Sequence, residues 1–309
     1  MFETGLWILL AAAALAAGAD CLVRGASGLA SGRSARPALI GMLIVAFGNS
    51  SPELFVTTGA AQEGLGDLAV GNANIFNIGM ILGIAAMLCP MQVAPHWLRS
   101  DTPLMLAIMG TVPFILANGR VGRWEGLALV AAAVLYLLLN SLAALKAHEN
   151  PGNQPSPAPP CPGILSILLI LVGIFLLIAG SRLLLTHAMA AGESWGVSEA
   201  TLGLTLVAAI TSLPELLTSI VAARRGEPDI LIGNIIGSNI FNVLGVLGTA
   251  ALWAPFRGCG LCHSDVFLML GFSALLVPML WTGRKLSRLE GAFLIAAYMG
   301  YWAFRYSIG

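Results

Sequence analysis

Ser51-Pro52-Glu53-Leu54 and Leu213-Pro214-Glu215-Leu216 stand in the middle of two apolar segments, 162 residues apart. The register holds without a gap from Ala17 and Gly18 against Ala179 and Gly180 to Gly71 and Asn72 against Gly233 and Asn234. It sets Gly41 on Gly203, Ser50 on Ser212 and Asp67 on Asp229. A carboxylate buried in hydrocarbon costs at least a few kcal/mol, so such a residue normally marks an ion path. A helix-breaking proline directly before each glutamate frees backbone groups at the same depth. Two such places in corresponding positions of two halves point to the binding centre of a transporter built from inverted repeats.

The setting of these motifs is a membrane. Of 309 residues, 58% are hydrophobic and 10% charged, whereas a soluble domain carries roughly 25% charged residues. Fifteen basic residues balance fifteen acidic ones, which gives no footprint for nucleic acid. The opening MFETGLWILLAAAALAAGAD has an apolar run but no basic n-region, and the following Ala17–Ala30 stretch matches the second half. It reads as a first membrane helix and not as a cleaved signal.

A span needs about 20 apolar residues. Ten stretches meet or approach that length, near 5–30, 37–62, 67–89, 101–118, 123–145, 163–190, 198–222, 228–253, 265–282 and 288–306. The match extends to the later spans, where Ser100-Asp101 resembles Ser264-Asp265 and Arg123-Trp124-Glu125-Gly126 resembles Arg288-Leu289-Glu290-Gly291. The predicted fold class is an all-α membrane protein of ten transmembrane helices in two inverted five-helix repeats, over 1–147 and 163–309. A proline-rich linker, 148–162, joins them as a semi-extended cytoplasmic segment. Five spans per repeat force opposite orientations. Nine basic residues (Arg33, Arg36, Arg99, Lys146, Arg224, Arg225, Arg284, Lys285, Arg288) fall in the loops of one side, against Arg120, Arg123, Arg257 and Arg305 on the other. The positive-inside rule puts the first group in the cytoplasm and both termini outside.

Small and hydroxylated residues crowd the prolines in GMLIVAFGNSSPELFVTTGAA (41–61) and GLTLVAAITSLPELLTSIVAA (203–223). Pro52 offers no donor to Gly48, nor Pro214 to Ile210. Hard cations such as Ca²⁺ take six to eight oxygens from carboxylates, carbonyls and amides. Glu53, Glu215, the freed carbonyls, Ser50, Thr211 and Ser212 supply that kind of shell. The neighbouring segments GNANIFNIG (71–79) and GNIIGSNIFNVLG (233–245) add Asn72, Asn74, Asn77, Asn234, Asn239 and Asn242. Such amides also serve as glue between membrane helices; beside two buried carboxylates the ligand reading is stronger. Asp67, Asp229 and the two Ser-Asp pairs read as helix caps, Asp20 and Arg182 as pairing with polar neighbours or headgroups, and His187 as packing. Cys259-Gly260-Leu261-Cys262-His263 matches the c-type haem pattern, but no second axial ligand or soluble domain accompanies it. No cofactor is expected.

With these residues in place, the chain resembles the calcium/cation antiporter superfamily, whose best-known members are the sodium/calcium exchangers. The resemblance covers essentially the whole chain, and the signature repeats are similar to Gly41–Gly83 and Gly203–Gly248. It implies ten helices in two inverted repeats, with a diamond of cation sites at the membrane centre. Carried over by position, it implies ligands at Ala208, Thr211, Ser212, Glu215, Ser238 and Asn242 in the second repeat. In the first it implies Ala46, Ser50, Glu53 and Asn77. Asn49 replaces the family's threonine, and GNANIFN lacks three residues present in GNIIGSNIFN, so that Ala73 falls opposite Ser238. A Na⁺ site loses a hydroxyl there, unless Asn49, Asn72 or Asn74 replaces it.

Two glutamates give a charge that one divalent cation neutralises, and Mg²⁺ fits less well because it sheds water reluctantly. Potassium-dependent relatives tend to carry aspartate where Asn242 stands. The resemblance therefore implies a secondary active antiporter exchanging Ca²⁺ for Na⁺ in a bacterial inner membrane, acting as a monomer or weak homo-oligomer in the bilayer. Coupling to H⁺ is the alternative, since facing glutamates share protons. A passive channel is disfavoured, because broken helices close a site instead of lining a pore. Spans 2, 3, 7 and 8 would hold the ions while spans 1 and 6, with Gly18, Gly25, Gly28, Gly173 and Gly180, slide past them.

Overall fold

The computed structural model describes residues 2–33, 37–62, 66–148, 163–194, 208–256, 263–281 and 283–308. It is helical throughout apart from two short strand contacts. Helix α1 (Phe2–Arg33) is followed by a helical run over Pro37–Ile40, Gly41–Val45 and Ala46–Asn49. After Ser50 the chain restarts as α2 (Ser51–Gln62). Next come α3 (Gly66–Phe76), which continues through Asn77–Leu82 and Gly83–Leu88, then α4 (Thr102–Leu116) and α5 (Arg123–His148). The second half follows the same plan. Helix α6 (Gly163–Ser194) precedes the short turn Ala208–Thr211 and α7 (Leu213–Arg224). Helix α8 (Pro228–Phe241) continues through Asn242–Leu247 and Gly248–Trp253, and α9 (His263–Trp281) and α10 (Arg288–Ile308) complete it.

Five helical stretches among the described residues are long and apolar enough to cross a membrane: Glu3–Ala30, Val70–Leu88, Arg123–Leu142, Gly163–Gly192 and Pro228–Trp253. The stretch around Glu53 fails that length test because it is broken at Ser50; in its counterpart around Glu215 the break is at Ser212, and residues 195–207 lie outside the described set. Cys259 and Cys262, and linker residues 149–162, also lie outside it.

Burial grades from rim to centre. Leu6, Leu9 and Leu10 of α1 and Ile164, Leu168, Leu171 and Phe175 of α6 are exposed, as lipid-facing side chains are. In α8 every residue from Ile230 to Ile240 is buried, five of them polar or glycine besides the isoleucines and leucine, so it forms the centre of the bundle. Helices α1 and α6 touch backbone to backbone. A Cβ on Gly18 would lie 3.0 Å from the Gly173 carbonyl oxygen, and one on Gly173 2.9 Å from that of Gly18.

Contacts recur with their partners exchanged between halves. Strand β1 (Met91–Gln92) pairs antiparallel with β2 (Lys285–Leu286), with Met91 opposite Leu286; Val121 bridges Phe256. Phe256 and Leu286 each follow Met91 and Val121 by 165 residues. A Cβ on Gly291 would lie 2.7 Å from the Gly83 carbonyl oxygen, and one on Gly126 2.8 Å from that of Gly248. A contact from one half to the other that reappears with its ends swapped is what a two-fold relation between the halves produces.

Three polar readings are corrected. Asp229 accepts a hydrogen bond from Trp97 Nε1 at 2.8 Å, and the cap position before α8 belongs to Glu227. The fully buried Trp97 needs an acceptor for its indole N–H, and that need outweighs the cap. Asp101 stands before α4 but makes no side-chain cap bond; its carboxylate accepts from Ser100. Asp265 is buried inside the first turn of α9 and accepts from the Tyr301 hydroxyl at 3.4 Å. Asp20 pairs with Arg24 and Arg225, Arg182 lies over the Phe55 ring, and His187 stacks on Trp7.

Candidate functional site

Both helix breaks have one cause and one geometry. Ser50 (φ −76°, ψ 5°) and Ser212 (φ −92°, ψ 4°) leave the helical region, where each following proline would otherwise collide with the preceding turn. Helices α2 and α7 then start afresh, and Glu53 and Glu215 fall in their first turns. Unpaired amides at a helix start carry partial positive charge, which suits an anionic side chain. Glu53 is 3% exposed and Glu215 1%.

The halves reach across to each other at this level. Ser212 Oγ donates to Glu53 Oε1 at 2.8 Å, and Ser50 Oγ approaches Glu215 Oε1 at 3.1 Å and Ser238 Oγ at 3.2 Å. Asn77 and Asn242 both open widened π-type turns, over Asn77–Leu82 and Asn242–Leu247. Such turns re-aim side chains and are common at functional sites. Asn77 Nδ2 donates to Asn239 Oδ1 (3.3 Å), and Asn242 Nδ2 donates to Asn74 Oδ1 (3.1 Å). The outer amides end on thioethers: Asn239 Nδ2 lies 3.9 Å from Met105 Sδ and Asn74 Nδ2 3.8 Å from Met269 Sδ. A thioether accepts and cannot donate. Each sulfur therefore draws an NH₂, which turns the outer amide oxygen inward, which in turn holds the NH₂ of Asn77 or Asn242. The oxygens of Asn77 and Asn242 are left over.

At this centre five buried amide and carboxylate oxygens have no hydrogen-bond donor among the described residues: Asn49 Oδ1, Glu53 Oε2, Asn77 Oδ1, Glu215 Oε2 and Asn242 Oδ1. An unpaired buried acceptor costs about 1–3 kcal/mol. Carboxylate and amide oxygens together are the donor set that hard cations take. Among the described residues no cluster of three or more His, Cys, Asp and Glu exists, so the arrangement depends on amides and hydroxyls around just two carboxylates.

The remaining expected residues fall into place unevenly. Ala46 is buried, and its carbonyl accepts from Ser50 N at 3.0 Å. Thr211 is buried and Ala208 opens the short turn before Ser212, its side chain lying outside the description. Ala73 shares a cavity of about 260 Å³ with Asn72, Phe76, Ala209, Tyr298, Tyr301 and Trp302. It is thus on the Ala208–Ser212 side. Of the expected substitutes for its missing hydroxyl, Asn72 Oδ1 accepts from Tyr301 at 2.9 Å and Asn74 Oδ1 from Asn242, whereas Asn49 bonds to Thr218 and Asn234 through its nitrogen and keeps its oxygen without a donor. Sequence reasoning missed Thr218 and Ser219, whose only signal was the run of hydroxylated residues after Glu215.

Relatives agree with this picture. The sequence matches the family described as "Sodium/calcium exchanger protein" over residues 4–142 and 165–307. It is 36% identical to the putative antiporter CaxA of Alkalimonas amylolytica, covering 97% of this chain and 98% of that one. It is 37% identical to the inner membrane protein YrbG of Escherichia coli strain K12, covering 92% of each. A solved structure of the sodium-calcium exchanger NCX_Mj, soaked with Na⁺ and Sr²⁺, superposes with a TM-score of 0.83 at 26% identity over 98% of this chain and 99% of that one. The fold, the paired carboxylates and these matches make the chain a member of the sodium/calcium exchanger family of membrane antiporters.

Proposed function

We propose that this protein exchanges Ca²⁺ for Na⁺ by alternating access, with ion ligands drawn from Ala46, Asn49, Ser50, Glu53, Asn77, Ala208, Thr211, Ser212, Glu215, Ser238 and Asn242. The observation that carries the reading is the set of five buried oxygens without donors, two of them carboxylate and three amide. Two carboxylates neutralise one divalent ion, and Ser50 and Ser212, which now donate to them, are free to turn a lone pair to a cation. The reciprocal contacts support two inverted five-helix repeats, 1–147 and 163–309; the bias of basic residues to one side favours a cytoplasmic linker, 148–162, with both termini outside. By analogy with the relative named an inner membrane protein, the site of action is a bacterial inner membrane.

Proton coupling is the competing reading, because the same two glutamates can carry protons in place of Na⁺. Purified protein in liposomes decides between them. An outward Na⁺ gradient is expected to drive Ca²⁺ uptake at constant pH. Uptake that follows a pH gradient and ignores Na⁺ would assign the protein to the proton-coupled branch.

A further inference from the structure

Asn49 is the position where the first repeat departs from the family's threonine, and its hydrogen bonds determine what it can do. Its Nδ2 donates to Thr218 Oγ1 at 2.6 Å and to Asn234 Oδ1 at 3.0 Å. Thr218 has a single proton, which goes to the Pro214 carbonyl one turn back, with the Glu215 carbonyl at 3.4 Å. Its oxygen can then only accept. Asn234 is equally committed: its Nδ2 faces Ser219 Oγ at 3.1 Å and the Glu215 carbonyl at 3.4 Å, so its Oδ1 is the atom that meets Asn49. A carbonyl never donates, so both chains of hydrogen bonds start from groups with one possible polarity. Both require the Asn49 nitrogen at that end. All four side chains are at most 1% exposed, so water does not compete. The amide oxygen of Asn49 is left over, buried and without a donor.

The network also belongs to one side of the centre. Asn49 precedes Ser50, which faces Glu215 and Ser238. Two of the three repeat-equivalent places differ: Val56 answers Thr218 and Thr211 answers Asn49, while Asn72, which answers Asn234, accepts from Tyr301 instead. The opposite side, with Ser212 and Glu53, has Ala73 where a hydroxyl is missing. Asn49 therefore adds an oxygen where one already stands and does not repair the deficit.

We infer that Thr218 and Asn234 are positioning residues that lock the Asn49 oxygen onto a monovalent cation at the Ser50–Ser238–Glu215 side, making it the tighter of two unequal Na⁺ sites. This rests on the Na⁺-coupled reading above. The test is a double-mutant cycle in liposomes reconstituted with full-length protein. Na⁺ is titrated in Na⁺-driven Ca²⁺ uptake, and Ca²⁺ affinity is measured separately by Ca²⁺ self-exchange. T218V is expected to weaken apparent Na⁺ affinity about threefold to tenfold, the range of one oriented hydrogen bond, and to shift Na⁺ affinity more than Ca²⁺ affinity. T218S restores it. N49A gives a similar loss, and N49A/T218V is no worse than N49A alone, because Thr218 acts through Asn49. If T218V fails to insert, T218A takes its place in the cycle. Unchanged Na⁺ affinity in the Thr218 variant, equal shifts for both ions, or losses that add in the double mutant overturn the assignment while leaving Na⁺ coupling standing. A wild-type protein indifferent to Na⁺ overturns the coupling and this assignment together.

Discussion

Met105 and Met269 look like ordinary core side chains, yet each is the end of a relay that decides which atom of Asn77 or Asn242 is left without a partner. Replacing Met269 with leucine keeps nearly the same volume, which a core tolerates at a cost under about 1.5 kcal/mol. It removes the acceptor. M269L should therefore leave the melting temperature almost unchanged and weaken Ca²⁺ binding severalfold by titration calorimetry; the equivalent M105L should do the same. At Ala73 the expectation runs the other way. With the Asn72 and Asn74 oxygens already accepting hydrogen bonds and Asn49 assigned to the Ser50 side, A73S supplies a hydroxyl on the Ser212 side, and Na⁺ should act at lower concentration in Ca²⁺ flux assays. Residue identities at the site were legible because glutamates and asparagines stand out in apolar segments. Their polarity and side were not. Asn49, Thr218 and Asn234 are far apart in sequence, and no local pattern tells which amide atom faces which neighbour.

Among the elements, the two breaks were legible and the two widened turns were not. A proline removes a helical donor and crowds the preceding turn, so Pro52 and Pro214, set among small and hydroxylated residues, point to discontinuities at Ser50 and Ser212, whereas Pro113 and Pro278 sit inside α4 and α9 without ending them. The turns opening at Asn77 and Asn242 contain no residue that demands them; they follow from packing, which sequence does not expose. Asp229 and Asp265 show the same limit, since their partners Trp97 and Tyr301 lie on distant helices. Of the glycines expected to allow close contact, Gly18 and Gly25 of α1 and Gly173 and Gly180 of α6 do face the other helix at short range. A methyl on Gly173 would come within 2.7 Å of Leu22 N and 2.9 Å of the Gly18 carbonyl, and backbone cannot give way as a side chain can. G173A should lower stability by about 1–3 kcal/mol, as overpacking does, visible as a reduced melting temperature in detergent. If α1 and α6 must also slide, G173A slows flux more than it weakens Ca²⁺ binding.

At the level of the whole molecule, the 162-residue offset predicted a duplicated architecture, and the swapped contacts of Met91, Val121, Phe256 and Leu286 carry that duplication into three dimensions. Two halves that present the same helices in exchanged roles offer two equivalent access states to one centre, which is the geometry alternating access requires. The three-residue shortening before Asn74 and the Asn49 network make the halves unequal at that centre, and on the proposed Na⁺-coupled reading this makes two monovalent sites differ around a shared carboxylate pair. The proposed exchange rests on Glu53 and Glu215 as the two negative charges for a divalent ion. The direct measurement is Ca²⁺ flux in liposomes for wild type, E53Q and E215Q, each checked for wild-type elution and helicity. Glutamine keeps the shape and removes the charge, so each variant should insert normally and lose exchange. Retained Ca²⁺ flux in either folded variant would contradict the account at its centre.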